Sequence, residues 1–251
     1  MILGPIRVWQ RNLKVWTKHY QASLIGNLGQ PILFLIAMGV GLKKEVPQIN
    51  GLTYLQFIAP GLVASAIMYG AALETTYNSY TRLTIQRSYE AVLMTPISAT
   101  ELAFGEILWG ATKGLLAGII MLIALPLFGV IPSFWTILLI PVLFFEGIFF
   151  AALGLIMTAI ASNYDFFNYF TSLVITPLFL FSGIFFPISA MSKFVRPILY
   201  CLPLTHVVLA ARELCYGRLS SMIFVYILVT ITLAIFTSIL AANMLKKRLI
   251  K

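Results

Sequence analysis

Charged side chains inside long apolar runs are the first candidates for chemistry in this chain. Glu106 and Lys113 lie in one run, and Glu146 lies in the next. Two adjacent carboxylates could transfer protons as a general acid and base, whereas a carboxylate beside an ammonium group forms an ion pair. The two glutamates lie in different runs and Lys113 can act as a counter-ion, so pairing is favoured over catalysis. We predict that Lys113 pairs with Glu146, directly or through a polar neighbour, with Glu106 as the competing partner.

The sequence patterns of common enzyme sites do not occur. His19 and His206 are far apart, and there is no H-E-x-x-H zinc motif and no G-x-S-x-G nucleophile motif. Cys201 and Cys215 do not form C-x-x-C, so no metal site is indicated, while a disulfide between them stays open. No G-x-x-x-x-G-K-[ST] sequence is present to bind ATP in a P-loop. We expect a protein that is not an enzyme and has no metal or cofactor of its own.

A compact polar segment interrupts the apolar sequence where residues 85–98 read IQRSYEAVLMTPIS. Ser98 and Glu101 have the spacing of a capping box, which fixes the start of the following helix. Before them, residues 89–94 can form a short helix that Pro96 ends. Residues 79–98 are therefore predicted to be a folded loop rather than a slack connection.

The predicted loop helix offers a contact surface for a soluble partner. Arg87 and Glu90 would make charged contacts there. Apolar contacts would come from Tyr89, Val92 and Leu93. The alternative is a solvated connector, since loops are polar by default.

The composition indicates that the helices carrying the candidate residues lie in a membrane. The chain has 251 residues, of which 60% are hydrophobic and 10% charged, and its mean hydropathy is +0.96. This is too little charge to cover the surface of a soluble domain of this length. We predict an all-α membrane protein with six transmembrane helices, each long enough to span a bilayer. The predicted spans are Leu24–Leu42, Tyr54–Tyr77, Leu102–Phe128, Phe134–Ala161, Phe166–Phe186 and Met222–Leu245.

Residues 187–217, between the fifth and sixth predicted spans, form a different kind of segment. They are apolar, but three prolines and several cations interrupt them. This pattern favours two short re-entrant or interfacial helices over a seventh span. We expect the segment to seal or open an exit on the outer side. The candidate gate residues within this segment and directly before it are Phe185, Phe186, Pro203, His206 and Arg212.

Residues 1–22 have the pattern of an amphipathic helix. One stripe carries Arg7, Arg11, Lys14 and Lys18, and the opposite stripe carries Trp9, Leu13, Trp16 and Tyr20. Such a helix suits the headgroup region of a bilayer, although a solvated helix on a soluble partner is the alternative. The distribution of Lys and Arg places both termini and the 79–98 loop in the cytoplasm. The net charge of +9 then reflects contact with anionic headgroups and not with nucleic acid.

Small residues predict where helices approach closely. Gly110, Gly114 and Gly118 repeat every four residues in the third predicted span, and Gly147 and Ala151 do so in the fourth. This small-xxx-small pattern is common in helix bundles and indicates packing rather than a particular function.

The chain resembles permeases of the type-2 ABC export family, in particular the nodulation J-like lipo-oligosaccharide permeases and related drug-export permeases. The resemblance covers essentially the whole chain. It is carried by residues 51–64 (GLTYLQFIAPGLVA), 86–98 (QRSYEAVLMTPIS), 105–114 (GEILWGATKG), 181–189 (FSGIFFPIS) and 202–217 (LPLTHVVLAARELCYG).

The resemblance implies a single transmembrane domain over residues 1–251, with an elbow helix at 1–22 and re-entrant helices at 187–217. It implies that two copies assemble with two ATP-binding subunits, which bind ATP and Mg²⁺, in a bacterial inner membrane. The 79–98 loop would be the coupling helix, and Ser162–Asp165 would form the second cytoplasmic contact. The cargo would be amphipathic, lipid-like, lipo-oligosaccharide-like or drug-like, and would be exported.

Two other classes of protein stay open at this point. A secondary transporter would have discontinuous helices and inverted repeats around intramembrane charges, and the sequence has no evident internal repeat. An anchor subunit without transport activity would bind a cytoplasmic complex through the same loop.

Overall fold

Long apolar helices dominate the computed structural model, which describes residues 3–18, 20, 29, 31–37, 41, 48, 49 and 51–250. No strand occurs among these residues. The α-helices are α1 (Leu3–Trp16), α2 (Tyr54–Leu73), α3 (Ser79–Thr84), α4 (Ser88–Leu93), α5 (Ala99–Ala124), α6 (Leu139–Ile160), α7 (Asp165–Phe170), α8 (Thr176–Phe181), α9 (Val195–Tyr200), α10 (Pro203–Tyr216) and α11 (Ile223–Leu249). Single π-helical turns join α2 to α3 (Glu74–Asn78) and α7 to α8 (Thr171–Ile175).

Four continuous helices of the described part are long and apolar enough to cross a membrane: Tyr54–Thr84, Ala99–Phe128, Phe134–Ile160 and Ile223–Leu249. They correspond to the second, third, fourth and sixth predicted spans. The fifth corresponds to the shorter apolar helix Asp165–Phe181. Most of the first predicted span, Leu24–Leu42, lies outside the described residues, so the count of six stays a prediction.

Capping boxes fix where two of the long helices begin. Thr53 and Gln56 form one before α2, and Ser98 and Glu101 form the predicted one before α5. At the second, Ser98 Oγ accepts from Glu101 N at 3.3 Å, and a Glu101 carboxylate oxygen accepts from Ser98 N at 2.9 Å. These bonds satisfy backbone N–H groups that a helix start otherwise leaves unpaired.

The core lies where α2, α5 and α6 meet. Helix α2 is its most enclosed member, because 89% of its most apolar stretch is buried. The predicted glycine ridge makes this approach possible. A β-carbon added at Gly114 would lie 2.8 Å from the carbonyl oxygen of Ile67, and one at Gly70 would lie 3.1 Å from Gly114 Cα. Side chains larger than hydrogen would therefore force α2 and α5 apart.

The 187–217 segment contains two short helices, α9 and α10, as its prolines predict. Helix α10 packs against α2 and α11. Cys201 is exposed, Cys215 is buried, and both are free thiols, so they form no disulfide.

Candidate coupling site

The predicted loop helix is present as α4. Arg87 precedes it with a φ of 48°, in the left-handed region, which costs a residue with a β-carbon roughly 1–2 kcal/mol. Ser88 Oγ donates to the carbonyl oxygen of Arg82 at 3.3 Å. At the other end, Thr95 Oγ1 donates to the carbonyl oxygen of Val92 at 2.6 Å. These two side-chain bonds brace the loop on either side of α4 and help to offset the backbone cost at Arg87.

Tyr89 has a different role from the predicted one. It was expected to supply apolar contact to a partner, but its side chain is fully buried in the core of this chain. Burial, with the negative charge of Glu106 as a second cause, raises the pKa of its phenol, so Tyr89 is neutral at any ordinary pH. Val92 packs partly against the same core, and Leu93 is half-buried. Tyr89 therefore anchors α4 and cannot touch a partner.

The exposed face of α4 has other members. Arg87 and Glu90 are exposed as predicted. The sequence interpretation missed Met94, which directly follows α4 and is 88% exposed, and Ile85, which directly follows α3 and is 68% exposed. Residues three or four apart share a helix face, and this spacing was the available signal. It groups Tyr89, Val92 and Leu93 on one face of α4 and Glu90 and Met94 on another.

A cluster of five buried or half-buried charged residues lies beneath α4; we call Arg11, Glu74, Arg82, Glu106 and Lys113 the charge cluster. Glu74 accepts four hydrogen bonds. One carboxylate oxygen accepts from Arg82 and Trp109 at 2.8 Å each, and the other accepts from Lys113 and Asn78 at 2.6 Å each. This number of donors fills the acceptor capacity of an ionised carboxylate.

Glu106, on α5, is the second carboxylate of the charge cluster and is completely buried. It accepts from Arg11 at 3.2 Å, from Asn12 at 2.9 Å and from Ser79 at 3.1 Å, and Arg82 Nη2 lies 2.9 Å from it. Arg82 therefore bridges the two carboxylates. Together these contacts join α1, α3 and α5 at the end of the molecule that carries α4.

The predicted pair of Lys113 with Glu146 is wrong. The Lys113 ammonium group bonds Glu74 at 2.6 Å, a residue that the sequence interpretation did not consider. Neither carboxylate oxygen of Glu146 has a hydrogen-bond partner among the described residues, although the side chain is buried. Glu106, the competing partner, is occupied by Arg11 and Arg82. The depths of two residues can match while their helices turn them towards different neighbours.

The π-helical turn Glu74–Asn78 positions the acidic centre of the charge cluster. Its Thr75 carbonyl oxygen accepts a 2.7 Å bond from the Thr158 hydroxyl of α6. The predicted second contact, residues 162–165, lies against the same region, because Tyr80 donates to the carbonyl oxygen of Ser162 at 2.7 Å. Arg248 of α11 donates to the carbonyl oxygen of Ala161 at 2.6 Å. Both predicted contact elements are thus fastened to one end of the bundle.

The candidate gate residues are only partly brought together. Arg212 donates to the carbonyl oxygens of Phe57 and Gly183 at 3.2 and 2.9 Å, and its guanidinium carbon lies 3.8 Å from the Phe57 ring centroid. Phe185 packs against the rings of Phe34 and Phe179.

Of the other gate candidates, Pro203 and His206 lie on α10. Pro203 starts that helix, and Phe186 is half-buried. His206 has its Nε2 2.9 Å from the carbonyl oxygen of Tyr200, and its ring lies 5.8 Å from that of Tyr226. The gate role of all five residues stays a prediction.

Comparisons with known proteins give one consistent relationship. A family model described as ABC-2 type transporter matches residues 6–216. The chain is 34% identical over 251 residues to "Nodulation protein J" of Rhizobium leguminosarum bv. viciae, covering 99% of this chain and 96% of that protein. It is 32% identical over 245 residues to "Nodulation protein J" of Sinorhizobium fredii, covering 98% and 94%. A 23% identity over 114 residues, covering 45% of this chain and 44% of the relative, relates it to "Inner membrane transport permease YadH" of Escherichia coli.

Proposed function

Because this chain belongs to the ABC-2 type transporter family, we propose that it is the permease of an ATP-driven exporter and that α4 is its coupling helix. A separate ATP-binding subunit would hold ATP and Mg²⁺ and would contact the exposed face of α4. By the symmetry usual for such assemblies, two copies of this chain would work with two ATP-binding subunits.

One observation carries this proposal: α4 has an exposed charged face and an anchored face. Glu90 and Arg87 point away from the protein, whereas Tyr89 is buried next to the charge cluster. A force applied to the exposed face therefore acts on a helix that cannot slide independently of the long helices. A solvated connector would have no need of a fully buried tyrosine.

The charge cluster would carry the motion inward. Arg82 holds Glu74 and Glu106 together, and Arg11 and Lys113 hold the same carboxylates from α1 and α5. Displacement of α4 would then shift these helices as a unit rather than bend one of them. The pathway for cargo would form between the two copies of the permease.

The cargo and location are proposed from the relatives and the apolar surface. We propose an amphipathic cargo, lipid-like, lipo-oligosaccharide-like or drug-like, that enters from the cytoplasm or the inner leaflet. The Escherichia coli relative is named as an inner membrane transport permease, which supports a bacterial inner-membrane location. Both termini and α4 would then face the cytoplasm, and the 187–217 segment would lie at the outer side and contribute the exit gate.

Charge reversal on α4 tests the coupling role. Glu90→Lys removes an exposed carboxylate that has no hydrogen-bond or ion-pair partner among the described residues, so the permease should fold and insert normally. A charge-assisted contact is worth about 1.5–3 kcal/mol, so its loss should weaken association with the ATP-binding subunit by about 10- to 100-fold. The measurement is co-purification of that subunit, with transport-linked ATP hydrolysis as a second readout.

The matched control is Lys193→Glu, a charge reversal at an exposed position of the 187–217 segment. It should leave co-purification of the ATP-binding subunit at the wild-type level. If Glu90→Lys also assembles and transports like wild type, α4 is not the coupling helix. Normal assembly without any ATP-driven transport, already in the wild type, would instead support an anchor subunit.

A further inference from the structure

A cleft between α1, α3 and α5 has the features of an anion site. It has a volume of about 370 Å³ and is lined in part by Arg11, Arg82, Lys113, Trp16 and Trp109. All three cations of the charge cluster face it. Of the two carboxylates, only Glu74 lines the cleft, because Glu106 is completely buried behind Arg11 and Arg82.

The charges of the cluster do not cancel. Three cations face two carboxylates, so one positive charge is left over in a largely buried place. Glu74 does not repel an anion strongly, since Arg82 and Lys113 already neutralise it. An excess buried charge is costly unless it has a counter-ion. An anion in the cleft would supply that counter-ion.

One hydrogen-bond donor in the cleft wall has no acceptor among the described residues. The indole N–H of Trp16 is buried and without a partner there, and its side chain lines the cleft. A buried N–H group without an acceptor costs about 1–3 kcal/mol. A phosphate oxygen could accept from this indole.

The position of the cleft indicates where the anion comes from. Helix α1 is amphipathic, and its Arg7, Lys14 and Lys18 are exposed. The rings of Trp16 and Trp109 lie 6.0 Å apart, and the ring of Tyr20 lies 6.0 Å from Trp16. Cations beside such an aromatic group are typical of the level at which lipid headgroups lie. Val15, which also lines the cleft and is 60% exposed, offers apolar contact next to it.

We propose that this cleft binds the phosphate group of an anionic bilayer phospholipid, which joins α1 to α3 and α5. The phosphate would accept from Trp16 and would neutralise the remaining charge of the cluster. Lipid binding at this site does not depend on the coupling role of α4, because it requires only the permease chain and the bilayer and not an ATP-binding subunit.

The test uses the purified full-length permease in neutral detergent. Short-chain phosphatidylglycerol is titrated in, and bound lipid is counted by native mass spectrometry while thermal stability is followed. Dioctanoylglycerol, which has chains but no phosphate, and inorganic phosphate, which has no chains, are titrated in parallel. We expect saturable binding and stabilisation by phosphatidylglycerol only.

Two pairs of variants locate the site. Trp16→Phe removes the unpartnered indole N–H and leaves the charge cluster intact, and its matched control is Trp135→Phe, which lies outside the cleft. Arg11→Gln removes a cation of the cleft, and its control is the exposed Arg7→Gln on the same helix. We expect phosphatidylglycerol affinity to fall about threefold to tenfold for Trp16→Phe and at least about tenfold for Arg11→Gln. The controls should bind like wild type.

Three results would overturn the proposal. Equal stabilisation by inorganic phosphate would assign the cleft to a free anion instead of a lipid. Equal binding of dioctanoylglycerol would mean that acyl chains alone are bound. Unchanged affinity in Trp16→Phe, which keeps every ion pair, would place the lipid elsewhere even if Arg11→Gln failed to fold.

Discussion

Arg82 and Arg212 hold the two ends of the Tyr54–Thr84 helix in different ways. Arg82 bonds Glu74 and lies 2.9 Å from Glu106, so carboxylates neutralise it. Among the described residues, all partners of Arg212 are neutral: two carbonyl oxygens and the face of the Phe57 ring. Both guanidinium groups are largely enclosed, yet one belongs to a charged network and the other does not.

The difference determines what each end can tolerate. Removing one member of a charged network leaves other buried charges without partners, which is strongly destabilising. Releasing Arg212 from two carbonyl oxygens leaves no opposite charge behind, so the change costs less. Under the proposed function, the α4 end would move as a unit, whereas the 187–217 end would rearrange at a lower cost.

The largest effect is expected at the centre of the charge cluster. Glu74→Gln leaves Lys113 without its carboxylate partner and removes one of the two carboxylate partners of Arg82. We expect the free energy of unfolding to fall by about 3–5 kcal/mol, measured by denaturant unfolding in detergent. Glu90→Gln, which neutralises an exposed carboxylate, is the control and should leave it unchanged. Wild-type stability in Glu74→Gln would mean that the network does not hold this end together.

A smaller effect is expected at the opposite end. Arg212→Lys keeps the positive charge but loses the planar fork that reaches two carbonyl oxygens and stacks on the Phe57 ring. The expected loss of unfolding free energy is about 1–2 kcal/mol. The exposed Arg7→Lys is the comparison variant. A loss as large as that of Glu74→Gln would remove the distinction between the two ends.

The smallest effect is expected at Glu146, which belongs to neither end. Its carboxylate has no hydrogen-bond partner among the described residues, so Glu146→Gln strands no other group and should change the unfolding free energy by less than about 1 kcal/mol. The charge-swapped variant Lys113→Glu with Glu146→Lys should recover nothing relative to Lys113→Glu alone. Recovery of stability by the swap would restore the pair that the sequence predicts.

Local sequence signals predicted the elements of this protein well. The capping box at Ser98, the glycine ridge around Gly114 and the prolines after Pro187 each act within one or two helical turns, and the expected elements are present. The short helix α4 is likewise within one residue of its predicted bounds.

What could not be predicted depends on how helices are rotated about their axes. The depth of Lys113 in its span was estimated from the sequence, but the direction of its side chain is set by how α5 packs on α2. Tyr89 was placed on the exposed face of α4 because the sequence does not show which face of that helix turns inward. Glu74 was overlooked because it ends an apolar run, where a single acid gives no periodic signal, although a buried carboxylate that stays ionised requires donors.

The π-helical turn at Glu74–Asn78 changes the direction, around the helix axis, in which the residues after it point. In a uniform α-helix, eight residues advance about 80° beyond two full turns, so Arg82 would lie well to one side of Glu74. The wider turn, with its longer-range backbone bonds, takes up much of that excess rotation and brings the guanidinium to 2.8 Å from the carboxylate. The π-helical turn therefore adds one residue to the helix and aligns the two charges along its axis, so that deleting a residue within the turn would separate Arg82 from Glu74.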